Sequence, residues 1–451
     1  MTTQLFVAST QYALATATAA VRAGLFGPRD QHRRILVISN TTTTPELSPS
    51  LDQMPGFESM RPDYDAVHSW NDFIRPFHPS GWTPRDQDAQ LWERALRQEW
   101  NLGDADIEVV CESLQVPPAA ALATIFSDRP MHVYADGLMS YGPTRNKIDP
   151  MIGSRVRRLL YLDLVPGLTP MLLSEFGAQP EVVPGDAMAE ILREIEAAVA
   201  PTKATFPEPP VLILGQYLSA LEILTAEEEA EMHARMVRGA VALGHRHIAF
   251  KPHPSAPASW GHTLEREAKA AGAELTVLAE PVLAEVLYQR LKPALVVGCF
   301  STALMTASRM YGLPVARYGT KALLERITPY QNSNRIPVTL VDAMLPSLED
   351  AAAVKSWTFP SEARTRKELT GLVNTVGFAM QSKIYPELRP VAERWLAGNL
   401  SARTWRYFKR RRLTALGLPG AVPQQLAFLP RNPTVRRLAR SARRLQRAAL
   451  G

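Results

Sequence analysis

In Ile248-Ala249-Phe250-Lys251-Pro252-His253-Pro254-Ser255, a short apolar run is followed by a lysine and by two prolines that flank a histidine. Each proline removes a backbone N–H donor and fixes φ, so a strand over the apolar run must end here. His253 is therefore expected in a stiff loop at the carboxyl end of a strand, where open α/β sheets bind ligands. An imidazole beside a lysine suits a leaving phosphate; the alternative is a surface histidine in an ordinary proline turn.

Length and composition indicate a soluble globular protein of two domains. The chain has 451 residues, 46% of them hydrophobic and 21% charged, and no apolar run approaches the roughly 18 residues of a membrane span. The N-terminus lacks a basic segment followed by an apolar core, so we expect a first strand there and not a signal peptide. With Cys111 and Cys299 alone, neither a disulfide framework nor a cysteine-based zinc site is expected, and a reducing compartment fits.

Charge is distributed unevenly along the chain. Of the 50 Lys and Arg residues, thirteen lie in residues 401–451, where there is no Asp or Glu, so the rest of the chain is net acidic. Trp405, Tyr407 and Phe408 are interleaved with these basic residues, a composition that suits an anionic membrane surface. We therefore expect a basic helical tail that binds such a surface, with a disordered solubilising tail as the alternative. Nucleic acid is not an expected partner, because no recognised binding fold accompanies the tail.

Apolar segments of strand length alternate with helical segments in both halves of the chain. Residues 40–85 interrupt the first half and are predicted to be a long irregular loop, and residues 361–381 are predicted to be a long helix. The predicted strands are residues 5–8, 34–39, 107–111, 131–134, 211–214, 247–250, 275–278, 294–297, 315–318 and 338–341.

This alternation predicts two parallel sheets covered by helices, in two Rossmann-like domains that face a central cleft. The proline-rich run at 201–210 is the predicted linker between them. The predicted domains are residues 1–200 and 211–380, with C-terminal helices and the basic tail at 381–451.

Two further loops carry polar groups at predicted strand ends. Asp136-Gly137 follows the strand at 131–134, where a carboxylate can remove the proton of an acceptor hydroxyl or simply cap a turn. Ser301 and Thr302 open a predicted helix, where hydroxyls and free N–H groups suit a phosphate or form an ordinary N-cap. A candidate base in the first half and two phosphate-binding loops in the second are the layout of a two-domain transferase that uses a sugar nucleotide.

With these motifs in this order, the chain resembles bacterial sialyltransferases, in particular the alpha-2,8-polysialyltransferase family. The resemblance rests on Ala135-Asp136-Gly137, His253-Pro254 and Ser301-Thr302, together with Gly215-Gln216 at the start of the second half. It implies a GT-B fold and an inverting transfer of a nonulosonic acid, of the sialic acid or Kdn type, from its CMP ester to a surface glycan, in single additions or processively. The chain departs from the family at Ala135, where an acidic residue is usual.

The resemblance also implies roles for individual residues. Asp136 is expected to be the general base, and His253 is expected to protonate or hydrogen-bond the departing phosphate. Lys251 is our own addition, as a further phosphate contact. The full set of expected substrate contacts is Gly137, Gly215, Gln216, Lys251, Pro254, Ser301 and Thr302.

No metal or other cofactor is expected, because a CMP donor has a single phosphate that a histidine and a helix N-terminus can stabilise. The expected partners are the CMP-sugar donor, an anionic or lipid-linked glycan acceptor, and the inner face of the cell membrane, with the protein peripheral on its cytoplasmic side. Two alternatives stay open. One is a polymer transferase that uses CMP-Kdo or CDP-glycerol, and the other is an inactive relative that binds glycan or nucleic acid, as Ala135 and the basic tail suggest.

Overall fold

The structure, a computed structural model, describes residues 1–135, 137–201, 204–253, 256–257 and 259–421. Two of the expected site residues, Asp136 and Pro254, lie outside the described residues. The distal part of the basic segment, residues 422–451, also lies outside them. Within the described residues, the chain forms two α/β units, each built on a parallel sheet.

The first unit is built on a sheet of seven described strands, and every neighbouring pair of strands is parallel. Its strands are β1 (Thr2–Ala8), β2 (His32–Ile38), β3 (Ala66–Ser69), β4 (Asp106–Cys111), β5 (Met131–Ala135), β6 (Val156–Leu162) and β7 (Gln179–Val183). Its helices are α1 (Gln11–Arg22), α2 (Phe57–Met60), α3 (Trp70–Ile74), α4 (Ala89–Glu99), α5 (Ala119–Ile125), α6 (Pro150–Gly153) and α7 (Gly185–Ala198).

The second unit is built on a parallel sheet of five described strands. Its strands are β8 (Val211–Leu214), β9 (His247–Lys251), β10 (Glu274–Val277), β11 (Leu295–Gly298) and β12 (Val315–Arg317). The helices in and after this sheet are α8 (Ala226–Ala242), α9 (Ser259–Ala270), α10 (Ala284–Leu291), α11 (Thr302–Tyr311), α12 (Thr320–Arg326), α13 (Arg335–Met344), α14 (Ala351–Ser356), α15 (Glu362–Met380), α16 (Arg389–Asn399) and α17 (Arg410–Leu416).

Both sheets have the strand order of a Rossmann-like domain. The order is β3-β2-β1-β4-β5-β6-β7 in the first sheet and β10-β9-β8-β11-β12 in the second. In each sheet the first strand is internal, and the chain builds to one side of it before it crosses to the other. This order creates a switch point between β1 and β4 and another between β8 and β11, where such sheets bind ligands. The two Rossmann-like units confirm the predicted GT-B-type fold class.

The apolar runs that mark the strands are buried on both faces of each sheet. Residues 5–8 of β1, 211–214 of β8 and 248–250 of β9 are all buried. Parallel strands covered by helices on both sides require such continuous apolar runs, because neither face meets water. This burial explains why these strands were predictable from the sequence.

Some of the predicted elements need correction. Residues 40–85, expected to be an irregular loop, contain β3, α2 and α3, and the strands β6 and β7 were not predicted. The strand expected at 338–341 is part of helix α13. Its β-branched residues are buried with the rest of the helix, so tertiary packing outweighs their preference for strands.

The two units also make direct contacts, one beside the start of the linker and one after α15. Arg290 of α10 pairs with the carboxylate of Glu196 in α7 at 2.8 Å and donates to the carbonyl of Val199 at 2.6 Å. After α15, the hydroxyl of Tyr385 donates to the carbonyl of Met171 in the first unit at 2.9 Å. These contacts hold one unit against the other.

The first part of the basic segment packs onto the second unit. Tyr407 and Phe408 are only 4% and 5% exposed, and the Tyr407 hydroxyl donates to the carboxylate of Asp342 at 2.9 Å. Arg406 pairs with the same carboxylate at 3.2 Å. These two aromatic rings therefore belong to the folded body, contrary to the expectation that they face a membrane. Within the part of the chain that the structure describes, no helix has both the length and the apolar character needed to cross a membrane.

Candidate active site

A pocket of about 310 Å³ lies at the carboxyl ends of β8, β9 and β11, and we call it the donor pocket. It is lined by five of the residues expected from the sequence, Gly215, Lys251, His253, Ser301 and Thr302. From the first unit, Tyr12 in the first turn of α1 also lines it. The pocket therefore spans the cleft and sits at the switch point of the second sheet, as the fold requires for a ligand site.

In the donor pocket, Lys251 supplies a positive charge and His253 supplies an N–H donor. Burial lowers the pKa of Lys251, while the carboxylates of Glu285 and Glu280 act in the opposite direction. The pKa of His253 is lowered by burial and by the positive charge of Lys251. Both effects favour the neutral imidazole, and an anion bound beside His253 raises its pKa again.

Ser301 and Thr302 lie at the start of helix α11. Ser301 is the N-cap, and its hydroxyl accepts a hydrogen bond from the backbone N–H of Ala303 at 3.2 Å. Both residues also line the donor pocket, so the capping role and a ligand contact are compatible. The dipole at the start of this ten-residue helix favours an anion there.

Thr302 also touches the first unit directly. Its Oγ1 accepts a hydrogen bond from the backbone N–H of Leu138 at 3.3 Å. A Cβ placed on Gly137 would lie 2.7 Å from the same oxygen, so the glycine is required for this close approach. The loop after β5 and the start of α11, far apart in sequence, therefore meet across the cleft.

Of the two adjacent residues Gly215 and Gln216, only the first is in the described lining of the donor pocket. Gly215 lines the pocket and donates its N–H to the carbonyl of Lys251 at 2.8 Å. Gln216 does not contribute to the described lining of the pocket. Its Oε1 accepts from the backbone N–H of Phe300 at 2.8 Å, so it holds the loop that leads to Ser301. Gln216 therefore positions a pocket wall instead of forming one.

Two lining residues, Tyr12 and Glu285, were not predicted from the sequence. Glu285, in the first turn of α10, is 4% exposed and accepts a hydrogen bond from the hydroxyl of Thr306 at 2.6 Å. Burial raises its pKa, whereas the Thr306 hydrogen bond and the charge of Lys251 act in the opposite direction. Tyr12 follows the carboxyl end of a predicted strand, where open α/β sheets bind ligands, so the sequence carried a signal for it. Glu285 lies on a helix with no comparable local signal.

Two Rossmann-like units that share a pocket at their cleft define the GT-B class of fold. The chain belongs to the alpha-2,8-polysialyltransferase family, because the sequence profile of that family matches residues 4–320. The protein is therefore a glycosyltransferase, as predicted, and membership of this family indicates sialyl transfer. No curated protein sequence matches the chain.

Solved structures that resemble the chain include bacterial sialyltransferases and a MurG protein. The GT-B domain of the sialyltransferase from Photobacterium damselae is 12% identical, with 76% of this chain and 96% of that chain covered and a TM-score of 0.41. The 2,6-sialyltransferase of Photobacterium sp. JT-ISH-224, solved with CMP and lactose, is 13% identical over 75% of each chain, with a TM-score of 0.40. MurG from Acinetobacter baumannii is 12% identical, with 86% of this chain and 98% of that chain covered and a TM-score of 0.38.

Proposed function

We propose that the protein transfers a nonulosonic acid, of the sialic acid or Kdn type, from its CMP ester to a hydroxyl of a surface glycan, with inversion at the anomeric carbon. One observation carries this proposal: Thr302 meets the loop of Gly137 and Leu138 across the cleft, at a pocket that also holds Lys251 and His253. A base from the first unit and a phosphate site from the second are the two parts that such a transfer needs.

The donor phosphate fits the wall made by Lys251, His253 and the start of α11. The lysine supplies a positive charge, the imidazole supplies an N–H, and Ser301 and Thr302 supply hydroxyls at the positive end of the α11 dipole. Glu285 supplies a buried acceptor for sugar hydroxyls and balances the charge of Lys251. This set stabilises a single departing phosphate without a metal ion, so the proposal includes none.

In the proposed transfer step, one bond forms, one bond breaks and two side chains handle the protons. The acceptor oxygen forms the new bond to the anomeric carbon, and the bond from that carbon to the phosphate oxygen breaks. Asp136, which precedes Gly137 in the chain, takes the acceptor proton as the general base. His253 donates a hydrogen bond or a proton to the departing oxygen of CMP. Ala135 leaves Asp136 as the one acidic residue of its motif, so the proposal requires Asp136 to act alone.

The distal basic residues support a location on the cytoplasmic face of the cell membrane. Seven arginines fall between residues 431 and 447, and no acidic residue accompanies them. Each basic residue near an anionic membrane contributes about 1 kcal/mol to binding. Because residues 404–418 are part of the folded body, this part of the proposal rests on residues after Ala421.

A donor screen tests the proposal. The protein is incubated with CMP-Neu5Ac, CMP-Kdn, CMP-Kdo or CDP-glycerol and a soluble oligosaccharide, and released nucleotide and product mass are measured. We expect turnover with the first two donors, its loss in His253→Ala, and wild-type rates in His262→Ala, which changes an exposed histidine of α9. Turnover with CMP-Kdo or CDP-glycerol alone would reject the sialyl assignment. Tight CMP binding without turnover, unchanged in Ala135→Asp, would identify an inactive relative.

A further inference from the structure

A second cavity, of about 620 Å³, lies in the first unit, and we call it the strand-end pocket. Its wall includes Ile38 at the end of β2 and Ser69 at the end of β3, together with residues of the loops around 45–53 and 71–79. The carboxyl ends of parallel strands lie on one edge of a sheet. The strand-end pocket therefore lies on the same edge of the first sheet as Ala135 and Gly137, which carry the proposed base between them.

The first turn of α1 contacts both the donor pocket and the segment that follows Asp52 and Gln53 of the strand-end pocket. Tyr12 lines the donor pocket, and the side-chain amide of the preceding residue, Gln11, donates to the carbonyl of Pro55 at 2.6 Å. Pro55 closely follows Asp52 in the segment that lines the strand-end pocket. In the sheet order, three strand spacings of about 4.8 Å separate β2 from β5, or roughly 14 Å in all. A short oligosaccharide can span that distance along the sheet edge.

The groups in the strand-end pocket suit a sugar. Phe77 is 55% exposed, and its ring stacks with that of Trp82 at a centroid distance of 6.2 Å, so a rigid aromatic surface is open to a ligand. Exposed aromatic rings pack against the apolar C–H faces of sugars, and carboxylates accept hydrogen bonds from their hydroxyls. The wall is braced by Asn40 and Asn71, which exchange hydrogen bonds of 2.9 Å.

The charge of the pocket selects the kind of sugar. Three carboxylates line it, those of Glu46, Asp52 and Asp72, against the single guanidinium of Arg75. That guanidinium is already paired with Asp72 at 2.9 Å. The surplus of negative charge repels an anionic ligand, whereas the hydroxyls of a neutral sugar find acceptors.

We propose that the strand-end pocket binds a neutral oligosaccharide segment of the acceptor, away from the hydroxyl that is modified. This inference rests on the proposed function and sharpens its substrate class. It differs from the anionic acceptor expected from the sequence, because the lining carboxylates disfavour sugars that carry a carboxylate. A neutral glycan is therefore the preferred acceptor, and an oligosialic chain is a poor one.

Acceptor competition tests this inference. With CMP-Neu5Ac as donor, kcat and KM are measured for a neutral tetrasaccharide and for an α2,8-linked tetrasialic acid. We expect wild type to favour the neutral acceptor. Asp52→Lys is expected to move the ratio of the two kcat/KM values about tenfold toward the acidic acceptor, mainly through KM. Asp104→Lys makes the same charge change at the amino end of β4, on the opposite edge of the sheet, and is expected to leave the ratio unchanged.

A second variant and a second measurement distinguish failure of the pocket assignment from failure of the proposed function. Phe77→Ala is expected to raise KM for the neutral acceptor several-fold, to weaken its saturation-transfer NMR signals, and to leave hydrolysis of CMP-Neu5Ac by water unchanged. Suppose that wild type hydrolyses CMP-Neu5Ac but neither Asp52→Lys nor Phe77→Ala alters the KM for an acceptor. That result would overturn the pocket assignment and leave the proposed function standing. A wild-type preference for tetrasialic acid would also overturn the pocket assignment. No CMP release by wild type with any acceptor or with water would instead reject the proposed function.

Discussion

The contact between Gly137 and Thr302 predicts that one added methyl group will block catalysis without unfolding the protein. Gly137 has φ −152° and ψ −174°, an extended conformation that alanine adopts freely. The new Cβ would lie 2.7 Å from Thr302 Oγ1, whereas its next contacts are both at 3.7 Å. Because the clash lies between the two units, a slight opening of the cleft relieves it and the cores stay intact.

The expected loss of activity in Gly137→Ala follows from the 2.7 Å distance between the added Cβ and Thr302 Oγ1. Ordinary contact begins near 3.4 Å, so the loop and the start of α11 must separate by roughly 0.7 Å. A displacement of about 1 Å between reacting groups lowers rates by about 100-fold, which is about 2.7 kcal/mol in the activation free energy. Thr302→Ala removes the clashing oxygen and the hydrogen bond to phosphate that we propose for it, and we expect about a tenfold loss from that change alone.

A double-mutant cycle measures the coupling. We expect kcat/KM to fall about 100-fold in Gly137→Ala and about tenfold in the double variant Gly137→Ala/Thr302→Ala, since the second change removes the obstacle. Gly185→Ala, where a Cβ meets nothing within 4 Å, is the matched control and is expected to keep wild-type activity. Melting temperatures are measured for every variant. Additive losses, about 1,000-fold in the double variant, would refute the reasoning.

Further predictions concern protonation, the tail, metals and the buried ion pair. Because burial and Lys251 lower the pKa of His253 and a bound phosphate raises it, CMP binding should take up protons between those two pKa values. Calorimetry in buffers of different ionisation enthalpy should show this uptake in wild type and not in His253→Asn, and Lys251→Met should move the window to higher pH. Removal of residues 422–451 should abolish binding to anionic vesicles in a sedimentation assay while activity on a soluble acceptor persists; equal vesicle binding by both forms would remove the anchor proposal. Treatment with EDTA should leave turnover unchanged, and a loss restored by Mg²⁺ or Mn²⁺ would contradict the metal-free site. Arg406→Met should lower the free energy of unfolding by about 2 kcal/mol, because it leaves the carboxylate of Asp342 with one cation fewer, and denaturant titration measures this.

The fold class and the positions of the motifs were predictable because they depend on local pattern. The strands β8, β9 and β11 each contain an uninterrupted apolar run. Prolines follow β9 and a Ser-Thr pair opens the helix after β11, and both are local signals with a known backbone cause. Where polar residues interrupt that pattern, prediction failed. Strand β6 carries Arg157 and Arg158 near its start, and the guanidinium of Arg158 is paired with Glu181 at 2.8 Å, a partner that no local window reveals.

The sequence by itself determined the architecture and the residue types at three strand ends, since periodicity and backbone restrictions act within a few residues. Only the tertiary structure decided which of those ends meet and what else faces them. Tyr12 and Glu285 enter the donor pocket, Gln216 turns to Phe300, and Tyr407 and Phe408 pack inside the second unit. Each of these outcomes depends on groups distant along the chain, because burial and hydrogen-bond partners are set by the packing of whole elements.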